Sequence, residues 1–167
     1  KKTRSELHVF SPGTNFSVEK KEDTNIIACY VIMKNDKGFI NKNPSIIFGC
    51  SAIDIFTGNV KLFEYTMVSQ NIHNPTIFDE LERFNSIYNP IETIIIHNYK
   101  NEQKIKDIIQ FAALQTKSIH IVNQLDKTDQ AKMANKCDQQ TFQKEIIHDF
   151  YDDINDYEAF IESSQLS

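Results

Sequence analysis

The chain has 167 residues, a formal net charge of −5 and 40% hydrophobic residues. This length and composition are typical of one globular domain with its own core, and they exclude a fibrous or disordered protein. The acidic balance argues weakly against a nucleic-acid-binding surface, since such domains usually carry a basic face. No apolar run approaches the roughly 18 residues of a membrane span, and no signal peptide opens the sequence, so we expect a soluble, intracellular protein.

The N-terminal part of the sequence predicts a linker followed by a central strand. Residues 1–23 show little periodicity, and we interpret them as a linker from a preceding domain. Because the sequence begins at Lys1 without Met and ends in a polar run, we expect it to be part of a longer protein. The run from Asn25 to Lys34 is apolar and is followed by the turn signal Asn35–Gly38. This pattern predicts a strand in the middle of a sheet.

Residues 45–67 predict a β-hairpin. The run from Ile46 to Phe56 is apolar almost throughout, so we expect a strand covered on both faces. A turn at Thr57-Gly58-Asn59 follows, and the residues from Val60 to Tyr65 then alternate between two faces, with Val60, Leu62 and possibly Glu64 on one and Lys61, Phe63 and Tyr65 on the other. That alternation predicts a half-exposed strand at the edge of the sheet. Three consecutive strands joined in this way most simply form an antiparallel meander.

Two helices and two further strands are predicted after the hairpin. Asn74-Pro75 marks a helix start, and apolar residues recur at helical spacing up to Tyr88. The short apolar runs Thr93–His97 and Ser118–Val122 predict strands, and the amphipathic run Glu102–Leu114 predicts the helix between them. Strands that are each preceded by a helix are expected to pair in parallel.

Together these elements predict an α/β fold with helices on the faces of a mixed sheet of order 3-2-1-4-5, the ribonuclease-H-like arrangement. We assign residues 24–123 to this α/β core. Residues 124–167 form a helical C-terminal part leading to a following domain. In that part, helices are predicted over Asp138–Tyr151 and from Asp156 onward.

A metal-dependent nuclease is one function that this strand order suggests. Two-metal catalysis needs several carboxylates that converge on two cations, and the usual anchor is an aspartate in the middle of the first strand. The first predicted strand contains no acidic residue, and Asp54 is the only one in the second. The simplest interpretation of Asp54 is structural, with its carboxylate bonded to Thr57 or to a backbone N–H of the turn. Gly-rich phosphate-binding loops are absent from the sequence.

Other candidate sites are weaker. His97 and His120, near the ends of two predicted parallel strands, could lie close together, but no third zinc ligand is evident. The sequence has three cysteines, Cys29, Cys50 and Cys137. Because their number is odd and no two have the Cys-x-x-Cys spacing typical of metal sites, we interpret them as reduced thiols. The acidic run 148–156 lacks the glycine and terminal glutamate of a calcium loop, and a solvated helix end explains it better.

Three stretches resemble the MutS family of DNA mismatch-repair proteins, in the order in which that family has them. Leu7–Thr14 is similar to a β run ending in Thr/Ser-Pro-Gly-Thr, and Gly49–Leu62 resembles the family's Gly, small residues and Asp-Ile-Ser/Thr-Thr-Gly. Residues 79–87 resemble its helix, and residues 90–96 resemble its Pro-x-Glu strand. Residues 139–151 are similar to the branch found in large viruses and coral mitochondria. The motif positions in this sequence are Pro12, Gly13, Thr14, Asp54, Thr57 and Gly58.

The resemblance implies a connector domain with a ribonuclease-H-like fold and no catalytic, cofactor or metal site of its own. ATP and Mg²⁺ would be bound by another domain of the parent protein, which would recognise mispaired DNA. The implied partners are the other domains of the parent and a MutL-like repair protein. Two alternatives stay open: a metal-dependent nuclease on the same fold, and a stand-alone protein-interaction module.

Overall fold

Five strands form one mixed sheet at the centre of the computed structural model, which describes residues 24–35, 44–68 and 74–150. The strands are β1 (Ile26–Asn35), β2 (Ser45–Asp54), β3 (Val60–Met67), β4 (Glu92–His97) and β5 (Ser118–Asn123). They lie in the order β3-β2-β1-β4-β5, with β1–β2 and β2–β3 antiparallel and β1–β4 and β4–β5 parallel. The predicted order 3-2-1-4-5, with the first strand central, is confirmed, and the fold is of the ribonuclease-H-like α/β class.

The described helices are a 3₁₀ turn (Pro75–Phe78), α1 (Asp79–Tyr88), α2 (Glu102–Phe111), α3 (Asp129–Cys137) and α4 (Gln140–Phe150). Polar side chains cap the N-terminal ends of several of these helices. The Asn74 side chain accepts from Thr76 N–H at the 3₁₀ turn, and the Asn101 side chain accepts from Gln103 N–H at α2. Each bond satisfies a backbone donor that the first turn of a helix leaves unpaired. None of the helices in the described ranges has the length and apolar character needed to cross a bilayer.

The core lies between one face of the sheet and helices α1 and α2. Alternate residues of the central strand, Ala28, Tyr30 and Ile32, are fully buried there, as period-two geometry requires. Further members of this core come from the other strands and the helices, and they include Phe48, Cys50, Ile77, Phe78, Leu81, Phe84, Ile95, Ile105 and Ile108. α4 lies on the opposite face, where Gln143 borders a groove with Cys29 and Ser51.

The hairpin between β2 and β3 differs from its prediction. β2 ends at Asp54, so Ile55 and Phe56 belong to the turn and are 52% and 76% exposed. The expected coverage on both faces is also wrong, because burial alternates along β2 and Ile53 is exposed. The end of β2 was predicted too late because hydrophobicity alone does not show where the strand stops. The strand stops at Asp54, whose side chain accepts hydrogen bonds from the backbone of the turn.

Three details of the C-terminal half also differ from expectation. α2 ends at Phe111 instead of Leu114, and Ala113 beyond it is exposed with a positive φ of 46°. Residues 129–137, whose polar sequence predicted no particular element, form α3. α4 begins at Gln140 instead of Asp138, and its Ile146 is 39% exposed. Pro12, Gly13, Thr14, the helix from Asp156 and most of the acidic run 148–156 lie outside the described residues.

Candidate functional site

Asp54 closes the β2–β3 hairpin with its side chain and its backbone. Its Oδ1 accepts hydrogen bonds from the backbone N–H groups of Phe56 at 2.9 Å and Thr57 at 3.2 Å. Its carbonyl accepts from Gly58 N–H at 2.8 Å, and its own N–H donates to the Asn59 carbonyl at 3.0 Å. A short acidic side chain that bonds the backbone two and three residues ahead is a common way to stabilise a turn.

The turn also explains the two other motif residues in the described part of the chain. Gly58 has a φ of +70°, in the left-handed region where a side chain is strained. Thr57 Oγ1 accepts from Asn59 N–H at 3.3 Å. The two backbone donors hold the pKa of Asp54 below its usual value, because they stabilise the charged carboxylate. Asp54, Thr57 and Gly58 thus act together on the shape of this hairpin.

The arrangement of carboxylates differs from that of a two-metal nuclease. β1 has no acidic residue, and Oδ1 of Asp54 accepts two backbone N–H groups of its own turn. Within residues 24–35, 44–68 and 74–150, no three His, Cys, Asp or Glu side chains lie close enough to hold a metal ion. Two-metal chemistry requires several such groups on one site.

His97 and His120 lie on opposite faces of the sheet, so the expectation that they could be close is wrong. His97 aligns with Asn123 and His120 with Ile94, three positions away along β4, and an odd spacing reverses the face. On its face, His120 Nε2 lies 2.7 Å from Glu92 Oε1 and 3.1 Å from Ser118 Oγ. Both partners use the same ring nitrogen, so this cluster is not a Ser-His-acid relay, in which the two nitrogens have different partners.

A small pocket of about 200 Å³ lies beside His97 at the carboxyl ends of β4 and β5. Ligands of open α/β sheets commonly bind outside the carboxyl ends of the strands. His97 is buried, and its Nδ1 accepts from Tyr99 N–H at 3.1 Å. Burial lowers its pKa, so the ring is neutral at pH 7 and carries its proton on Nε2. The other lining residues are Glu102, Ile105, Lys106, Ile121, Asn123 and Asp126.

The thiols on the central strands are not arranged for catalysis. Cys29 aligns with Ser51 and Cys50 with Tyr30, so the two thiols are on opposite faces. Burial raises the pKa of Cys29 to about 11 and that of Cys50 to about 12. Both are therefore protonated at neutral pH, and a protonated thiol is a poor nucleophile.

An exposed apolar surface on β3 was missed by the sequence reasoning. Val60 is 46% and Leu62 72% exposed, while Phe63 and Tyr65 on the other face of the strand pack against the core. The signal was present in the sequence, because both alternating faces of β3 contain apolar residues. Such a strand at the edge of a sheet is unusual, since edges are commonly protected by charge or by other elements.

Comparisons with known proteins find distant structural similarity and no similarity of sequence family. Neither a protein-family model nor a curated protein matches the chain. The N-terminal RNase H domain of a Mycobacterium tuberculosis protein, solved as a fusion with maltose-binding protein, is 12% identical over 68% of this chain and 99% of that chain, with a TM-score of 0.36. The fowlpox virus Holliday junction resolvase is 19% identical over 79% of this chain and 90% of that chain, with a TM-score of 0.32. At these values the comparisons say nothing about activity, and the class of the domain rests on its strand order.

Proposed function

We propose that the chain is the connector domain of a MutS-like mismatch-repair protein. In this role it has no catalytic centre, and it transmits movement between the domain that reads mispaired DNA and the domains that bind ATP and Mg²⁺. It also offers a docking surface to a repair partner such as a MutL-like protein.

The observation that best supports this proposal is the structural role of Asp54 in its turn. On a ribonuclease-H-like sheet, Asp54 is the single acid of β1 and β2, and its carboxylate accepts two backbone N–H groups of its own turn. That role is the one expected of the Asp-Ile-x-Thr-Gly motif in a domain that keeps the fold without nuclease chemistry. The motif residues Thr57 and Gly58 support the same interpretation, since both shape the turn.

The exposed surfaces of α1 and of the β4–α2 loop are suited to contacts with neighbouring domains. Glu82 and Arg83 on α1 are exposed, as are Lys100 and Lys104 beside the carboxyl end of β4. Interfaces between domains of one chain are modest in area and rather polar, which allows reversible contacts. A rigid domain with two such surfaces can bias two arrangements of its neighbours.

The test uses the full-length parent with the charge reversals Glu82→Lys and Lys104→Glu. We expect at least one of them to lower mismatch-stimulated ATP hydrolysis by about fivefold, while basal hydrolysis stays unchanged. Glu145→Lys on the exposed side of α4 is the matched control, with no expected effect. If the parent lacking residues 1–150 kept normal mismatch stimulation and normal partner binding, the proposal would be wrong.

The nuclease alternative is tested on the isolated chain. We expect no cleavage of an RNA–DNA hybrid or a four-way DNA junction with Mg²⁺ or Mn²⁺, because a two-metal site needs more than one converging carboxylate. Cleavage that requires the metal and disappears in Asp54→Asn would support the nuclease and contradict the connector assignment.

A further inference from the structure

The outer edge of β3 has no strand partner among the described residues. β3 is eight residues long and stands first in the sheet order, so it pairs with β2 on one side only. An open edge presents a row of backbone N–H and C=O groups that can pair with another extended chain. The hydrogen bonds of the hairpin show which residues of β3 present these groups.

The hairpin bonds show which backbone groups of β3 point outward. Asp54 N–H donates to Asn59 O on the β3 side, whereas Ile55 N–H donates to Asn25 O on the β1 side. Along β2, even-numbered residues therefore bond toward β3, since the direction alternates along a strand. Their register partners on β3 are Lys61, Phe63, Tyr65 and Met67. The backbone groups of Leu62, Glu64 and Thr66 consequently point away from the sheet.

A groove between this edge and α1 can accept a side chain. It has a volume of about 220 Å³ and contains the rings of Phe63, Phe84 and Tyr88 with the exposed Ile87. Glu80 and Arg83 also line the groove, with Arg83 Nε 3.6 Å from Glu80 Oε2. A residue paired opposite Phe63 on an added strand would place its side chain on this side of the sheet.

We propose that the β3 edge binds an extended segment of a partner protein as a sixth strand of the sheet. The segment carries apolar side chains toward the α1 groove and a basic side chain opposite Glu64, which is exposed. Opposite charges across a strand pair are favourable, and the net charge of −5 favours a basic partner. The inference rests on the partner-docking part of the proposed function and specifies how that partner is recognised.

A second copy of this chain fits the edge less well. When two β3 strands pair antiparallel over all three outward residues, Leu62 faces Thr66 and Glu64 faces the Glu64 of the other copy. Like charges directly opposite each other on paired strands are destabilising. A basic extended segment removes this repulsion and replaces it with attraction.

The experiment follows amide hydrogen exchange by NMR on the whole 167-residue chain. The probe is the acetylated, amidated peptide Val-Thr-Val-Lys-Val-Thr-Val. We expect the amides of Leu62, Glu64 and Thr66 to exchange rapidly in the free chain and more slowly with the peptide, while those of Phe63 and Tyr65 are protected in both. Protection of the outward amides without peptide would overturn the inference: if it depends on protein concentration, a second copy covers the edge, and otherwise the chain itself does.

Two variants and two peptides make the result specific. Glu64→Pro removes the carboxylate and an outward N–H, whose loss edge strands tolerate, whereas Glu64→Ala removes the carboxylate alone and serves as the matched control. We expect Glu64→Pro to weaken peptide binding about tenfold and Glu64→Ala about threefold. A peptide with N-methylated lysine should lose binding even if Glu64→Pro fails to fold. A peptide with glutamate in place of lysine should bind more weakly than the original.

Equal binding of the N-methylated and unmodified peptides would contradict strand addition. So would perturbations confined to residues away from β3 and α1. Such a failure would leave the connector role untouched, because mismatch-stimulated ATP hydrolysis in the parent is measured separately. Conversely, strand addition could be observed in this chain even if the parent showed no mismatch coupling.

Discussion

The hydroxyl of Tyr30 donates a hydrogen bond of 3.0 Å to Oδ1 of Asn85, and both side chains are buried although 55 positions separate them in the sequence. The bond joins the middle of β1 to α1 and satisfies two polar groups inside the core. The rings of Tyr30 and Phe84 also pack edge to face, with centroids 6.2 Å apart. Through these two contacts Tyr30 connects the central strand to α1, which borders the groove at β3.

We therefore expect Tyr30→Phe to lower the free energy of unfolding by about 1–3 kcal/mol, because it leaves the Asn85 oxygen without its donor. Urea unfolding followed by circular dichroism measures this change. Asn85→Ala and the double variant complete a double-mutant cycle, which isolates the pairwise contribution. Additive effects of the two single changes would show that the hydrogen bond contributes nothing to stability.

The hairpin turn makes the stability of the chain depend on pH through Asp54. Its pKa is lower in the folded chain than the ordinary value of 3.8, so its contribution is present above that value. As the pH falls through the lowered pKa, the proton binds and the contribution is lost. We expect the melting temperature of Asp54→Asn to fall below that of the unchanged chain at pH 6 and the difference to shrink toward pH 2. A constant difference over this range would contradict the assignment.

Gly58 and Gly49 provide a matched pair of glycines in the same hairpin. Gly58 has a φ of +70°, so Gly58→Ala should lower the free energy of unfolding by about 1–2 kcal/mol through backbone strain alone. A Cβ on Gly49 would lie 3.5 Å from Cβ of Val31, an ordinary contact, so Gly49→Ala should have a smaller effect. Thermal unfolding of the two variants decides between them. A larger loss from Gly49→Ala would mean that packing, not turn geometry, limits this hairpin.

The sheet was predictable because its determinants are local. β1 shows its central position by being apolar on both faces, and short connections leave few possible strand orders. The faces of His97 and His120 were not predictable, since they depend on the register between β4 and β5. The exposure of Phe56 was misjudged and that of Leu62 was not predicted, because hydrophobicity alone does not show whether a side chain faces a core or solvent.

His97 should behave as a buried, neutral imidazole with its proton on Nε2. Nδ1 accepts from Tyr99 N–H, and burial holds the pKa below the ordinary value of 6.5. The unfolded chain binds a proton near pH 6.5 and the folded chain only at lower pH, so this residue lowers stability as the pH falls below 6.5. Nitrogen-15 NMR should show the Nε2–H tautomer at pH 7. An imidazolium signal for His97 at that pH would contradict the burial argument.

The last prediction concerns DNA. With a net charge of −5, the isolated chain has no excess of cations to replace the counterions of a duplex. We expect it to bind matched and mismatched DNA equally weakly, with binding that disappears between about 50 and 200 mM salt. Fluorescence anisotropy with a labelled duplex, with and without a single G–T pair, measures both properties.

The matched control for this prediction is a chain that begins at Asn25 and therefore lacks the basic residues Lys1, Lys2 and Arg4. This shorter chain should lose the remaining low-salt binding. Mismatch-selective binding that persists at 150 mM salt would place DNA recognition inside this domain and contradict a purely connecting role.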